Sequence, residues 1–353
     1  MSGLVYLDYA ATSPLLPEAR LAMRGAEERF FANASALHTP GHLAMNEVES
    51  CRALLAEMVG AEADEIIFTS GASEANNTVI RTYEGHKIKT SPLEHHSIIE
   101  ATEIYQGEKE PGLYSYMLAN NETGEILDLP DKGEWYLHSD LTQALGKIPI
   151  DVRELGLDYA TFSAHKIGGP VGVGALYVRK GVPFRPLIIG GRQEKGRRGG
   201  TYNTVGIAGF KAVLQNVRDN NTPLKYAVEI KKLRDCLAER ILTEIPGSSL
   251  NTDIREGKSL PNILNASFRA AEGESIQLYL DAEGIIVSTG SACAAGDTKP
   301  SHVLMAKTGD PEIAHSSIRF SFGLANTMDD VDRVMEALPG IVDRLQKMST
   351  IEL

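Results

Sequence analysis

Short apolar runs alternate with amphipathic stretches along this chain, and the two periods predict different elements. Runs rich in β-branched and aromatic residues, bounded by turn formers, predict strands. They are Val5-Tyr6-Leu7, Ile66-Ile67-Phe68, residues 88–90 and 114–118, Trp135-Tyr136-Leu137, and residues 159–162 and 173–178. Apolar positions at helical intervals predict helices over 17–31, 44–58, 74–81, 204–217 and 224–245; in 44–58 they are Met45, Val48, Leu55 and Met58. A smaller α+β region follows, built from 262–268, 275–283, 285–287, 317–322 and a final helix. The pattern predicts an α/β fold with a large, mostly parallel sheet domain over 15–224. Residues 1–14 and 225–353 are expected to form a small domain.

The predicted strands share one feature: they end in polar residues. Residues 88–90 lead to Glu94-His95-His96, and 114–118 to Asn120-Asn121. Trp135-Tyr136-Leu137 runs into His138-Ser139-Asp140, and 159–162 into Ser163-Ala164-His165-Lys166. Ligands of parallel sheets collect outside the carboxyl ends of the strands. His95, Asn121, Asp140 and Lys166 are therefore expected to meet.

Composition narrows the class. A hydrophobic share of 42% with 23% charged residues predicts a packed core rather than disorder. The 35 basic against 47 acidic residues, a net charge of -12, argue against coating nucleic acid. Lys195-Gly196-Arg197-Arg198 is one short basic candidate. No apolar run is long enough to span a bilayer, and the first nine residues lack the pattern of a secretory signal, so a cytoplasmic location is expected. Three widely spaced cysteines, Cys51, Cys236 and Cys293, argue against a disulfide framework and supply no strong zinc or iron–sulfur spacing. No resident metal is expected.

Several segments carry candidate chemistry, each with a plainer alternative. In Thr69-Ser70-Gly71-Ala72-Ser73, small side chains at a strand-to-helix turn let backbone N–H groups approach an anion, although a capped tight turn has the same composition. Asp140 could face a pyridine nitrogen, with Gln143 beside the ring; a cap and an exposed helical residue are the alternative. Lys166, at a strand end before Gly168-Gly169-Pro170, can form a Schiff base, or can simply be solvated. Arg319 could clamp a carboxylate with its planar fork or form a surface ion pair. Cys293 sits in Ser288-Thr289-Gly290-Ser291-Ala292-Cys293-Ala294-Ala295-Gly296, small residues that suit a thiol-bearing loop. Cys51 and Cys236 fall in helical patterns and are assigned to packing.

Taken together these segments resemble the aminotransferase class V, or NifS/IscS-like, cysteine desulfurases. The matching landmarks run from Leu7-Asp8-Tyr9-Ala10-Ala11-Thr12 through Phe68–Asn77, Glu94-His95-His96-Ser97, Asn120-Asn121-Glu122-Thr123-Gly124 and His138–Gln143. They continue in Ser163–Pro170, Ser288–Cys293 and His315–Ser321. The resemblance implies a fold-type I pyridoxal-phosphate transferase and a homodimer. Lys166 would carry the cofactor, His95 would stack on it and assist proton transfer, and Asp140 and Gln143 would contact its ring nitrogen and oxygen. Ala72, Ser73, Ser163 and His165 would hold the phosphate, with Thr201 reaching across the dimer. Asn121 and Arg319 would orient L-cysteine. Cys293 would take its sulfur as a persulfide, leaving alanine, and pass it to an iron–sulfur scaffold, a sulfur carrier or an RNA-thiolation protein.

The chain also departs from the family pattern. Segments 96–119 and 125–137 are compressed. Arg198-Gly199-Gly200-Thr201 stands where Arg-Ser-Gly-Thr is common, and Asn33-Ala34-Ser35 where Asn-Pro-Ser is common. A selenocysteine lyase, another pyridoxal-phosphate C–S lyase and a non-catalytic sulfur-assembly scaffold are the competing readings.

Overall fold

In the computed structural model, the described residues are 3–290 and 300–349. The strands in chain order are β1 (Val5–Tyr6), β2 (Ile66–Thr69), β3 (His86–Thr90), β4 (Lys109–Ser115), β5 (Tyr136–Asp140) and β6 (Tyr159–Ser163). There follow β7 (Gly174–Val178), β8 (Ser248–Leu250), β9 (Ile263–Phe268), β10 (Ile285–Ile286) and β11 (Ser317–Ser321). The chain divides into two units. One holds Ser13–Leu118 and Asp128–Thr222; the other holds the described residues of Met1–Thr12, Ala119–Leu127 and Pro223–Leu353.

The first unit is built on a six-stranded sheet in the order β2-β7-β6-β5-β4-β3. Strands β3 to β6 pair in parallel, while β7 runs antiparallel to both neighbours. Strand β2 therefore points the same way as β6, and five of the six carboxyl ends share one edge. Every residue of β2, β6 and β7 is buried. Continuous burial of this kind explains why these strands read as unbroken apolar runs rather than alternating ones. Helix Ala72–Thr82 turns Ala75, Val79 and Ile80 into a core with Ile67, Tyr159 and Leu176. Helices Pro17–Arg29 and Thr39–Val59 both pack on Thr204–Asp219.

The other unit pairs β1 with β10 in parallel and orders its second sheet β11-β9-β8, all antiparallel. Val5, Leu7, Leu237, Phe268, Phe320 and Phe322 share its core. Burying each such phenylalanine is worth roughly 2–3 kcal/mol. The last helix, Met328–Met348, opens on a capping box between Thr327 and Asp330 and buries Val331, Val334, Met335, Leu338 and Val342.

Strand β8 and the short helices His302–Thr308 and Pro311–His315 were not among the expected elements, and three further elements differ from the expectation for visible reasons. The second helix starts at Thr39, five residues before the expected position, because the His38 imidazole accepts the Gly41 N–H at 3.2 Å and caps it. Strand β4 begins at Lys109 and runs through Pro111-Gly112, which a shift of register between His86 and Ile88 accommodates. Beyond its end, Tyr116 and Leu118 still donate to the carbonyls of His138 and Asp140. Helix His96–Tyr105 was not expected at all; its cap is again an imidazole, that of His95.

Candidate active site

The carboxyl edge of the six-stranded sheet gathers the first group of candidates. Asp140 is the last residue of β5, and both of its carboxylate oxygens are held. Oδ1 accepts the Thr142 N–H at 2.9 Å, and Oδ2 accepts the Asn76 amide at 2.8 Å. Asn76 is fully buried on helix Ala72–Thr82. Its amide nitrogen also reaches Ser97 Oγ at 3.0 Å, and Ser97 Oγ lies 2.9 Å from His95 Nδ1. His95 and Asp140 are thus tied together through two side chains that the strand-end pattern did not single out.

The next strand over, β6, ends at Ser163, which pairs with Gly174 of β7. A single turn, Ala164–Ile167, then carries His165 and Lys166. Ser13 clamps this turn: its hydroxyl donates to the Lys166 carbonyl and its N–H to the His165 carbonyl, each at 2.9 Å. Burial, with help from the Lys166 and Lys147 charges, holds His165 down to about 4, so its imidazole is neutral near pH 7. Gln143 is buried, and its Oε1 accepts from the buried Lys147 Nζ at 2.8 Å. The amide nitrogen is consequently the end of Gln143 able to donate to a ring oxygen.

Ala72 and Ser73 open the helix that follows β2. The turn before them is pressed close: a Cβ on Gly174 would meet Gly71 Cα at 2.7 Å. Ser70 donates its N–H to Glu74 at 2.8 Å, and Arg198 grips the same carboxylate at 2.9 and 3.1 Å. Burial opposes the Glu74 charge, yet these donors keep its carboxyl below the ordinary value. Thr201 lines a cavity of about 170 Å³ together with Thr69, Ser70 and Arg198. The short basic run is spoken for within the chain. Lys195 pairs with Asp64, Arg197 with the Asp64 and Glu194 carbonyls, and Arg198 with Glu74. The glycine that departs from the family pattern has a steric reason, since a Cβ on Gly199 would stand 1.9 Å from the Gly190 carbonyl oxygen.

Asn121 and Arg319 belong to the other unit. Arg319, on β11, is 1% exposed. Its Nη1 donates to the Asn121 carbonyl at 2.9 Å and its Nη2 to the Asp8 carboxylate at 2.7 Å. Its Nε is buried with no hydrogen-bond partner among the described residues. That leaves one donor of the fork for a further acceptor. Cys293 lies outside the described residues. Cys51 is fully buried, which pushes its thiol well up and makes a thiolate there unfavourable, and Cys236 is half-buried. Among the described residues there is no cluster of three His, Cys, Asp or Glu side chains that could hold a metal, and no helix long and apolar enough to cross a membrane.

A pyridine ring with a phosphate needs a carboxylate for its nitrogen, an amine, and donors for the anion. The first unit supplies Asp140, Lys166, and Ser73 on the opening turn of a helix. Asn76 Oδ1 and Thr142 Oγ1, both on residues that hold Asp140, are buried without hydrogen-bond partners among the described residues. Polar atoms left in this way suit a site that receives a polar group. Asn76, Ser97, Lys147 and Asp8 were given no role by sequence reasoning, although Asp8, Asn76 and Ser97 lie inside the segments that carry the family resemblance. A further signal was at Asn76, a polar residue set between the core positions Ala75, Val79 and Ile80.

The aminotransferase class-V family model matches residues 5–109 and 106–334. Cysteine desulfurase IscS of Dictyoglomus turgidum is 38% identical over 387 aligned positions, covering 99% of this chain and 97% of that protein. Those positions outnumber the 353 residues here, so the relative carries segments that this chain lacks. A solved NifS-like protein from Rickettsia africae superposes with a TM-score of 0.87 at 32% identity, covering 96% of this chain and 99% of that one. A structure of SspA in complex with cysteine gives 0.76 at 29% identity, covering 90% and 98%.

Proposed function

The chain belongs to the aminotransferase class-V family and is a pyridoxal-phosphate-dependent cysteine desulfurase, and we propose that it converts L-cysteine to L-alanine with Lys166 holding the cofactor and Cys293 receiving the sulfur. The observation that carries the assignment of residues is Asp140. A carboxylate fixed on both oxygens, at the end of the strand beside the one leading to Lys166, suits a protonated pyridine nitrogen. When bound, the cofactor supplies an electron sink for the pair left at the substrate Cα.

The chain's own groups do the rest. Ala72, Ser73, Ser163 and a neutral His165 would hold the phosphate by hydrogen bonds, with Thr201 contributing from a second copy in a homodimer. Gln143, its oxygen engaged by Lys147, would donate to the ring oxygen. Arg319 would take the cysteine carboxylate through Nε and the outer edge of its fork, with Asn121 beside it. Lys166 Nζ would move the proton at Cα. The Cys293 thiolate would attack the substrate sulfur: an S–S bond forms, the C–S bond breaks, and its electron pair leaves with Cβ, to be protonated on the way to alanine. The resulting persulfide would be handed to an acceptor protein in the cytoplasm.

Incubating cofactor-loaded protein with L-cysteine and a thiol reductant tests this reading by alanine and sulfide release. Cys293→Ser should keep the cofactor absorbance and lose the persulfide, and Lys166→Ala should lose the absorbance itself. Loaded protein that makes no alanine would sink the desulfurase reading. Faster turnover of selenocysteine, independent of Cys293, would replace it with a lyase.

A further inference from the structure

The direction of each hydrogen bond between Asp140 and His95 follows from elementary chemistry. An ionised carboxylate only accepts, so the group 2.8 Å from Asp140 Oδ2 is the Asn76 amide nitrogen and not its oxygen. The second hydrogen on that nitrogen goes to Ser97 Oγ at 3.0 Å. Ser97 Oγ, already accepting there, has its own proton to give, and His95 Nδ1 lies 2.9 Å away. The Ser97 backbone N–H, which can only donate, addresses the same Nδ1 from 3.1 Å. Two donors converge on one ring nitrogen. That nitrogen must therefore carry its lone pair, and the proton of the neutral imidazole sits on Nε2.

We propose that Asn76 and Ser97 are positioning residues that hold His95 as the Nε2–H tautomer, making His95 a hydrogen-bond donor in the reaction and not its general base. The inference rests on the proposed function, together with the stacking of His95 on the cofactor that the family resemblance implies. A base needs an available lone pair. Neutral His95 has one, at Nδ1, and Ser97 engages it twice. Removal of the Cα proton then falls to Lys166: its amine pair takes the proton, and the C–H bonding pair stays with the substrate. The Nε2–H of His95 suits an anionic oxygen or sulfur acceptor instead. Burial makes the arrangement robust. Turning the Asn76 amide over would set two acceptors face to face at 2.8 Å, with no solvent to relieve them.

The test reads nitrogen resonances of the histidine-labelled holoenzyme. The chain has nine histidines, and the His95 signals are identified by their absence in His95→Gln. In the wild type, Nδ1 should resonate as an unprotonated, hydrogen-bonded nitrogen and Nε2 as a protonated one. Ser97→Ala leaves the backbone N–H as the one donor from residue 97 to Nδ1, so the Nδ1 resonance should move towards that of a more weakly hydrogen-bonded nitrogen; Asn76→Leu, which frees the Ser97 hydroxyl to turn, should move it the same way, and Ser97→Thr should restore the wild-type spectrum. A protonated Nδ1 in the wild type, or no change in Ser97→Ala, overturns the proposal. Turnover supplies a second arm. His95→Gln keeps an N–H donor but cannot act as a base, so its kcat/KM should exceed that of His95→Phe by roughly tenfold, the worth of one hydrogen bond; equal losses overturn the proposal. Protein with the expected tautomer but no alanine formation would sink the desulfurase reading alone. Alanine formation with a protonated Nδ1 would sink this inference alone.

Discussion

Asp8 and Arg319, 311 residues apart in the chain, form an ion pair at 2.7 Å in which the arginine is almost completely buried. The Asn121 carbonyl takes a second donor of the same guanidinium. These two acceptors fix the plane of the fork and leave Nε without a protein partner among the described residues. An arginine in this state is oriented before its ligand arrives, which reduces the ordering cost of binding a carboxylate.

Arg319→Lys should therefore raise the KM for L-cysteine by roughly 10- to 100-fold, because lysine keeps the charge but not the fork. Asp8→Ala should raise it by about tenfold through misorientation alone, with kcat changed less. The two effects should fall short of additive in the double variant. Steady-state kinetics decide the matter, and an unchanged KM in Asp8→Ala would remove Asp8 from the argument.

Asp140→Asn keeps the acceptor for Thr142 and removes the negative charge. Its new amide nitrogen would face the Asn76 amide nitrogen, donor against donor in a buried place, so a loss of about 1–3 kcal/mol of stability is expected as well. The rate of alanine formation should drop by roughly 100-fold, the usual scale for deleting one preorganised electrostatic contact. The absorbance of bound cofactor, read beside the rate, separates poor catalysis from poor binding.

Gly199→Ser would bring back the residue common in the family, and here it should be harmful. Its Cβ would meet the Gly190 carbonyl oxygen at 1.9 Å, so the backbone around Thr201 must move. A cost of about 1–3 kcal/mol is expected. It should appear as a melting point several degrees lower and as weaker retention of the cofactor. Wild-type behaviour in both measurements would mean that the loop yields easily.

Acid should expose His138. Its Nδ1 lies 2.8 Å from the Ser115 hydroxyl and its Nε2 3.0 Å from that of Thr161, and complete burial lowers its pKa despite the Asp140 charge. A depressed folded-state pKa means that the unfolded chain binds the extra proton. The stability contributed by neutral His138 is then present above pH 6.5 and lost as pH falls from there towards the folded-state pKa. The melting-point advantage of the wild type over His138→Gln should shrink across that window. Glu94 works in the opposite sense: burial raises its pKa well above the ordinary range, while the Met117 N–H opposes the shift. Glu94→Gln should accordingly gain stability relative to the wild type as pH rises above about 4.5. Calorimetry across pH 4.5–8 checks both signs.

Much of the fold could be read from local pattern. The apolar runs at 66–68, 159–162 and 173–178 became buried strands because neighbours in sequence are enough to specify a two-sided strand. Two of the helices that were misplaced or missed begin with imidazole caps, at His38 and His95, where the usual Ser, Thr, Asp or Asn signal is lacking. Strand β4 was shifted because Pro111 and Gly112 argue locally against a strand, and a partner strand with irregular register admits them.

By itself, the sequence determined which chemical groups stand at the strand ends and in what order: His95, Asp140, Ser163, His165 and Lys166. Residue type and two-residue or 3.6-residue periodicity are properties of near neighbours, so they survive without coordinates. Tertiary structure alone decided how those groups are held. The buried pairing of Asp8 with Arg319 joins positions 311 residues apart, the step from Asn76 to Ser97 spans 21, and the contacts of Gly199 with Gly190 and of Ser97 with His95, though closer in sequence, depend equally on how the backbone turns. Hydrogen bonds tolerate only a few tenths of an ångström about a separation near 3 Å, and they have a direction. Neither quantity exists until the chain has folded and brought donor and acceptor face to face.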